Sequence, residues 1–145
     1  MTDTFVSNPS FFKLDATLKK LRNYWQKEFD AKQKDITVDQ WLLIENLYKH
    51  KKTTHNELAR NTSKDITTIS RIIELLVKKG LVKREADSLD RRKVYLQLTP
   101  EGVEKYKDVK PMVHEMRKVG WKTLTEKDYN ELTRILDTIY ANVPK

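Results

Sequence analysis

Asp65-Ile-Thr-Thr-Ile-Ser-Arg71-Ile-Ile-Glu-Leu-Leu-Val-Lys-Lys-Gly80 is the stretch that decides the fold. Asp65 is placed to cap a helix, because its short carboxylate can accept from the free amides of the first turn. The spacing puts Ile66, Ile69, Ile73, Leu76 and Val77 on the buried side, and Lys79-Gly80 is a helix-stop signal. The exposed side begins with Thr67, Thr68, Ser70 and Arg71. Immediately upstream, Thr54-His-Asn-Glu57 reads as a capping box that opens a short helix carrying Leu58 and Ala59. Asn61-Thr-Ser63 is a polar break. Two short helices joined by a tight break, the second exposing small hydroxyls and an arginine, predict a helix-turn-helix.

Working outward, Leu81–Ala86 is followed by the polar loop Asp87-Ser-Leu-Asp-Arg-Arg-Lys93. Val94, Leu96 and Leu98 then alternate with Tyr95 and Gln97, the period of a strand with one buried face. The pattern predicts a two-stranded hairpin with a basic tip. On the other side, Thr37-Val-Asp-Gln40 is a second capping box, launching a helix through Trp41, Leu42, Ile44, Leu47 and Tyr48 that ends at Lys49–Lys52.

The two ends of the chain read as helices with narrow apolar seams. The first opens at Asn8-Pro9 or Ser10 and carries Phe11, Leu14, Leu18, Leu21 and Trp25. Thr99-Pro100-Glu101 starts another through Tyr106, Val109, Val113 and Met116, with Pro111 expected to kink or interrupt it. Thr125 caps a last one, with Leu132, Ile135, Leu136, Ile139 and Val143 inside. A subunit interface would bury these seams, and so would an intramolecular bundle. The dimer is the stronger expectation. The chain is thus a single domain over 1–145: a core at 37–99, and helices at 8–34 and 100–145 that dimerise.

Charge is unevenly spread over the 145 residues. Residues 1–48 hold seven basic and seven acidic groups, and residues 94–145 hold nine and eight. Residues 49–93 hold thirteen basic groups against six acidic, so this segment supplies nearly all of the net +8. A field concentrated in one segment suits a polyanion. There is no cysteine, which excludes disulfides, thiolate metal sites and thiol redox control. His50, His55 and His114 lack the spacing of a helical metal site, and three glycines cannot build a phosphate-cradling loop. No serine sits in a nucleophile motif. No metal, cofactor or enzymatic activity is expected. With no apolar run of about 20 residues and no signal-peptide pattern at the N-terminus, a cytoplasmic protein without a membrane role is expected.

Several of these segments together resemble the MarR family of winged-helix transcription regulators. The resemblance rests on Glu57-Leu-Ala59, Asp65–Arg71, Leu76-Val-Lys-Lys-Gly-Leu-Val-Lys-Arg84, Asp90-Arg-Arg92 and Leu96-Gln-Leu-Thr-Pro-Glu-Gly102. It implies a mainly α fold with a small β-hairpin wing, in which a winged helix-turn-helix is joined to a dimerisation region built from both chain ends. It also implies a homodimer that binds double-stranded DNA, with the helix at 65–79 in the major groove and the hairpin in the minor groove. On that reading Lys64, Thr67, Thr68, Ser70 and Arg71 are recognition-helix contacts. Arg84, Asp90, Arg91, Arg92 and Lys93 form the wing contacts, with Arg91 as the minor-groove probe or its positioner and Asp90 holding the loop by salt bridging. Thr62 and Ser63 stand where the family usually has an apolar residue and a glycine, and Lys64 stands at a more often apolar position.

Arginine suits guanine edges and narrow A·T-rich minor grooves, which supports these roles independently. The expectation is a sequence-specific dimeric repressor, responsive to a small-molecule effector and bound to an inverted repeat. A nonspecific or architectural nucleic-acid binder and a winged-helix protein-interaction module are the alternatives. Tyr24, Trp25, Phe29 and Trp41 are candidate effector-pocket walls, although aromatics at helical spacing are more often core, and no effector site is assigned.

Overall fold

The computed structural model describes residues 4–7 and 10–145. The expected helix opening at Asn8-Pro9 lies outside the described residues. In chain order the elements are α1 (Thr4–Ser7), α2 (Ser10–Ala31), α3 (Val38–His50), α4 (His55–Thr62), α5 (Ile66–Lys78), β1 (Val82–Ala86), β2 (Val94–Leu98), α6 (Pro100–Gly120) and α7 (Glu126–Asn142). No described helix is long and apolar enough to cross a membrane.

The helix starts are where the caps put them. Thr37 with Gln40, Thr54 with Glu57 and Thr125 with Asp128 each form a complete capping box. The α4–α5 break falls slightly later than Asn61–Ser63, because α4 continues through Thr62, whose hydroxyl donates to the Leu58 carbonyl at 2.6 Å. At the far end of α5, Gly80 takes φ 77°. Its amide bonds the Val77 carbonyl and the Leu81 amide bonds the Leu76 carbonyl, each at 3.0 Å, a Schellman closure that a left-handed glycine allows.

The chain then turns into the hairpin. β1 and β2 pair antiparallel, from Val82 opposite Leu98 to Ala86 opposite Val94. Thr53 adds a bridge to Leu96, with backbone bonds of 3.1 and 2.7 Å. Trp41, Leu43, Ile44 and Leu47 of α3, Leu58 of α4 and Ile69, Ile72, Ile73 and Leu76 of α5 are buried, together with Leu81, Val82, Leu96 and Leu98. Each such side chain contributes about 1.5–3 kcal/mol on burial. Two expected members differ: Ile66 is 44% exposed and Val77 is half-buried. Ile66 shares the apolar face but occupies the first helical position, before α5 meets the core. Ile72 fills the buried face instead.

The start of α6 is clamped to the hairpin. Thr99 Oγ1 accepts from the Gly102 amide at 3.0 Å and donates to the Gly80 carbonyl at 2.6 Å. A Cβ at Gly102 would lie 2.1 Å from the Leu81 carbonyl oxygen, so only glycine permits this approach. Of the kink or interruption expected at Pro111, the interruption is not found, since α6 runs through it from Pro100 to Gly120. A proline here removes one helical donor while the turns on both sides stay intact.

The chain divides into two compact units, residues 1–112 and 113–145. In the first, Phe29 is buried, Leu21 and Trp25 are half-buried, and Leu14 and Leu18 are exposed, with Phe11 66% exposed. In the second, α7 carries no buried residue. Leu132, Ile135 and Leu136, expected inside, are exposed in the single chain; Ile139 is half-buried, and Val143 lies exposed beyond the helix end.

Candidate nucleic-acid interface

The turn that presents α5 is held from behind. Ser63 closes α4 in the left-handed region, at φ 53° and ψ 38°. Lys64 follows with its ammonium 2.9 Å from Asp39 Oδ1 and a side chain only 14% exposed. Arg22 donates to the same carboxylate oxygen. Burial pushes the Asp39 carboxyl up, but the Lys64 hydrogen bond and the Lys64 and Arg22 charges outweigh it and hold it below the ordinary carboxylate range. Lys64 therefore braces α5 against α3 and α2, an engagement that its place among the expected recognition-helix contacts did not include. Asp39 was legible only as part of a capping box, and no local spacing links it to a lysine 25 residues on.

Asp65 caps α5 through two bonds to Thr68, from its amide at 2.8 Å and its hydroxyl at 2.9 Å. These bonds lower the Asp65 carboxyl below its ordinary range. Because the Thr68 hydroxyl already donates to Asp65, it can offer a further partner only lone pairs. Thr67, Ser70 and Arg71 are exposed, and their spacing puts them on one helix face. An Arg71–Glu74 pair would have made the arginine a surface ion pair. Among the described residues Arg71 has no carboxylate within 4.0 Å.

The wing tip is ordered by its two aspartates. Asp87 accepts the Leu89 amide at 2.9 Å, and Asp90 accepts the Arg92 amide at 3.0 Å and Nε at 3.2 Å. The Arg92 contacts, backbone first, hold the Asp90 carboxyl below its ordinary range. Asp90 thus closes the loop through Arg92, whose side chain is otherwise 92% exposed. Arg91 is exposed and enters no ion pair among the described residues. The two neighbouring arginines therefore divide the work: one is tied to the loop and the other is free.

Arg84, Arg92 and Lys93 line a cleft of about 640 Å³ together with His55 and Arg60. Sequence reasoning left His55 and Arg60 out of the site. The signal was present, since Arg60 belongs to the basic middle segment and His55 opens a capped helix, but nothing local places them beside the wing. Of the candidate effector walls, Phe29 and Trp41 are core residues, and Trp41 stacks on Tyr106 at 5.3 Å. Tyr24 and Trp25 are half-buried.

The MarR family model matches residues 36–94, the segment that holds α3 to α5 and the hairpin as far as the start of β2. Over that segment the chain is similar to the MarR family. Two solved structures share the fold over most of the chain. A MarR mutant from E. coli complexed with operator DNA has a TM-score of 0.81 at 21% identity, covering 96% of this chain and 98% of that one. The S. aureus MepR–DNA complex has a TM-score of 0.82 at 21% identity, covering 94% and 98%. By sequence, the chain is 22% identical to the HTH-type transcriptional repressor IacR of Pseudomonas putida over 112 residues, covering 77% of this chain and 67% of that protein. It is 35% identical to the HTH-type transcriptional regulator FarR of Neisseria gonorrhoeae over 83 residues, covering 57% of each.

Proposed function

We propose that this MarR-family protein is a sequence-specific, duplex-DNA-binding transcription regulator: a homodimeric repressor that binds an inverted repeat and is released by a small-molecule effector. The observation that carries the reading is the set of unpaired donors on the winged helix. Thr67, Ser70 and Arg71 stand exposed on one face of the opening of α5, and Arg91 stands free on the wing. A planar guanidinium can pair bidentately with guanine in the major groove, or enter the enhanced negative potential of a narrow minor groove. Arg84, Arg92 and Lys93 add phosphate contacts, whose counterion release makes affinity fall with salt. Asp90 acts by closing the wing, Thr68 by holding the cap, and Lys64 as a brace in place of a direct contact.

Support for the dimer comes from the exposed apolar side chains of α2 and α7, which a second copy would cover. A two-fold dimer requires half-sites about one helical turn apart. The repressor and DNA assignments rest on the names of IacR and of the two DNA complexes.

Selection from a random duplex pool at about 150 mM salt, where nonspecific binding is weakened, tests the reading. A two-fold symmetric motif is expected, and recovery of DNA without a motif would favour an architectural binder. Arg71→Ala and Arg91→Ala should each weaken binding to the selected duplex by about 1–3 kcal/mol. Wild-type affinity in both variants would put the interface elsewhere.

A further inference from the structure

The cleft between α4 and the wing has an unusual charge balance. Arg60 comes from α4, Arg84 from β1, and Arg92 and Lys93 from the loop, so four cations from three segments face one concavity. Glu57 is the acid that lines it. Its carboxylate is committed to the Thr53 hydroxyl at 2.6 Å and the Thr54 amide at 3.2 Å. Arg60, Arg84 and Lys93 enter no ion pair within 4.0 Å among the described residues. Like charges gathered in a concavity repel one another and focus the field on whatever anion enters. His55 lines the same cleft, half-buried. An imidazole among cations is a group whose charge state answers to the arrival of an anion.

We propose that this cleft seats a backbone phosphate of the bound duplex, gripped by Arg60, Arg84 and Lys93, with His55 taking up a proton as the phosphate arrives. The proposal rests on the DNA-binding reading above and adds a proton-linked anchor to it. The groups facing His55 are Glu57 and Arg60 from its own helix, Arg84 from β1, Arg92 and Lys93 from the loop, and Tyr95 from β2. Burial first, and the Arg84 charge second, hold the His55 imidazole below its ordinary 6.5, so it is neutral in the free protein near neutral pH. A phosphate offsets the Arg84 charge and stabilises the imidazolium, which raises the histidine toward or above its ordinary value. Protons are then bound in the complex and not in the free protein, so affinity rises as pH falls.

The experiment is fluorescence anisotropy of a labelled mixed-sequence duplex, measured against salt and between about pH 8 and about pH 6. It compares the wild type, Arg60→Ala/Arg84→Ala, His55→Gln and Arg71→Ala, with circular dichroism to verify folding. The double variant should lower the salt slope of log K by about two if both arginines meet phosphate. Wild-type affinity should rise with falling pH by up to about tenfold per unit for each proton taken up. His55→Gln should flatten that rise, whereas Arg71→Ala should keep it. A wild-type salt slope in the double variant overturns the phosphate seat while leaving DNA binding intact. An undiminished pH dependence in His55→Gln assigns the proton to another group and overturns the linkage. Absence of any duplex binding by the wild type overturns the underlying functional reading. A second arm titrates inorganic phosphate and follows the His55 ring protons by NMR. A phosphate-dependent shift there, together with unaltered DNA affinity in the arginine variant, would assign the cleft to a free phosphate and overturn the DNA version.

Discussion

The basic middle of the chain and its two apolar ends both expose large side chains, but of opposite kinds. Around α4, α5 and the wing, the exposed groups are Arg60, Arg71, Arg84, Arg91 and Lys93 above a core whose Leu43, Ile44, Leu58, Ile69, Ile73 and Leu96 are fully buried. On α2 and α7 the exposed groups are Phe11, Leu14 and Leu18, and Leu132, Ile135 and Leu136, and α7 buries nothing. Scattered surface leucines are ordinary, but an entire helix seam left uncovered costs solvation free energy that a partner surface would recover. The exposed side chains are thus mainly cationic in the middle and apolar along α2 and α7. The largest expected effect tests that division. Leu132→Asp with Leu136→Asp should reduce self-association by at least about 3 kcal/mol, because two apolar contacts become buried charges. Sedimentation velocity would show dimers replaced by monomers. An unchanged association state would mean that α7 is not the covering surface.

The converse perturbation is Gly102→Ala, where α6 meets the hairpin. Its Cβ would meet the Leu81 carbonyl oxygen at 2.1 Å and Leu98 Cδ2 at 3.1 Å, so the clamp between α6 and the hairpin must open. A loss of about 2–3 kcal/mol in folding stability is expected, the upper range for overpacking, and urea unfolding measures it. Less than about 1 kcal/mol would show that the Thr99–Gly80 and Gly102–Thr99 bonds yield at little cost.

A smaller effect concerns the brace behind α5. Asp39→Asn removes the charge that engages both Lys64 and Arg22, at an expected cost of about 1 kcal/mol near neutral pH for a partly exposed network. The sign with pH follows from the lowered Asp39 carboxyl. Its contribution is present above the ordinary value of 3.8 and is lost as pH falls through the still lower folded value. The stability gap between wild type and variant should therefore close in acid, and denaturant titrations at several pH values would reveal a gap that stays open.

The same brace shows what was legible in the sequence and what was not. Caps, the Gly80 stop, the alternating strand and the basic middle are local signals, and the helix-turn-helix and hairpin follow from them. Which cations are free is not a local property. Lys64 and Arg71 are both basic residues near the start of α5, yet one is held by an acid contributed by another helix and the other has no carboxylate partner among the described residues. Arg91 and Arg92 are adjacent in the wing, and only the folded loop shows that Asp90 takes the second. Helix phase alone does not say where a helix meets the core, which is why Ile66, in the first turn of α5, lies exposed on the apolar face.

The smallest expected effect, Ser63→Gly, probes the turn where this chain departs from the usual glycine. Ser63 sits at φ 53° and ψ 38°, a region that costs an L-residue about 1–2 kcal/mol. Glycine removes that cost but surrenders about 0.5–1 kcal/mol to the greater freedom of the unfolded chain. A net gain of about 0.5 kcal/mol is expected, or a rise of about 1–2 °C in melting temperature for a chain of this size. Ser63 is exposed, so its removal opens no cavity. If the variant melts lower, the serine is supplying a native interaction that outweighs its backbone strain. If it melts higher while DNA affinity stays constant, the strain is not needed to present α5, and the Asp39 brace is enough to fix the turn. That second outcome would locate the control of α5 in a long-range ion network, with the turn residue itself free to vary.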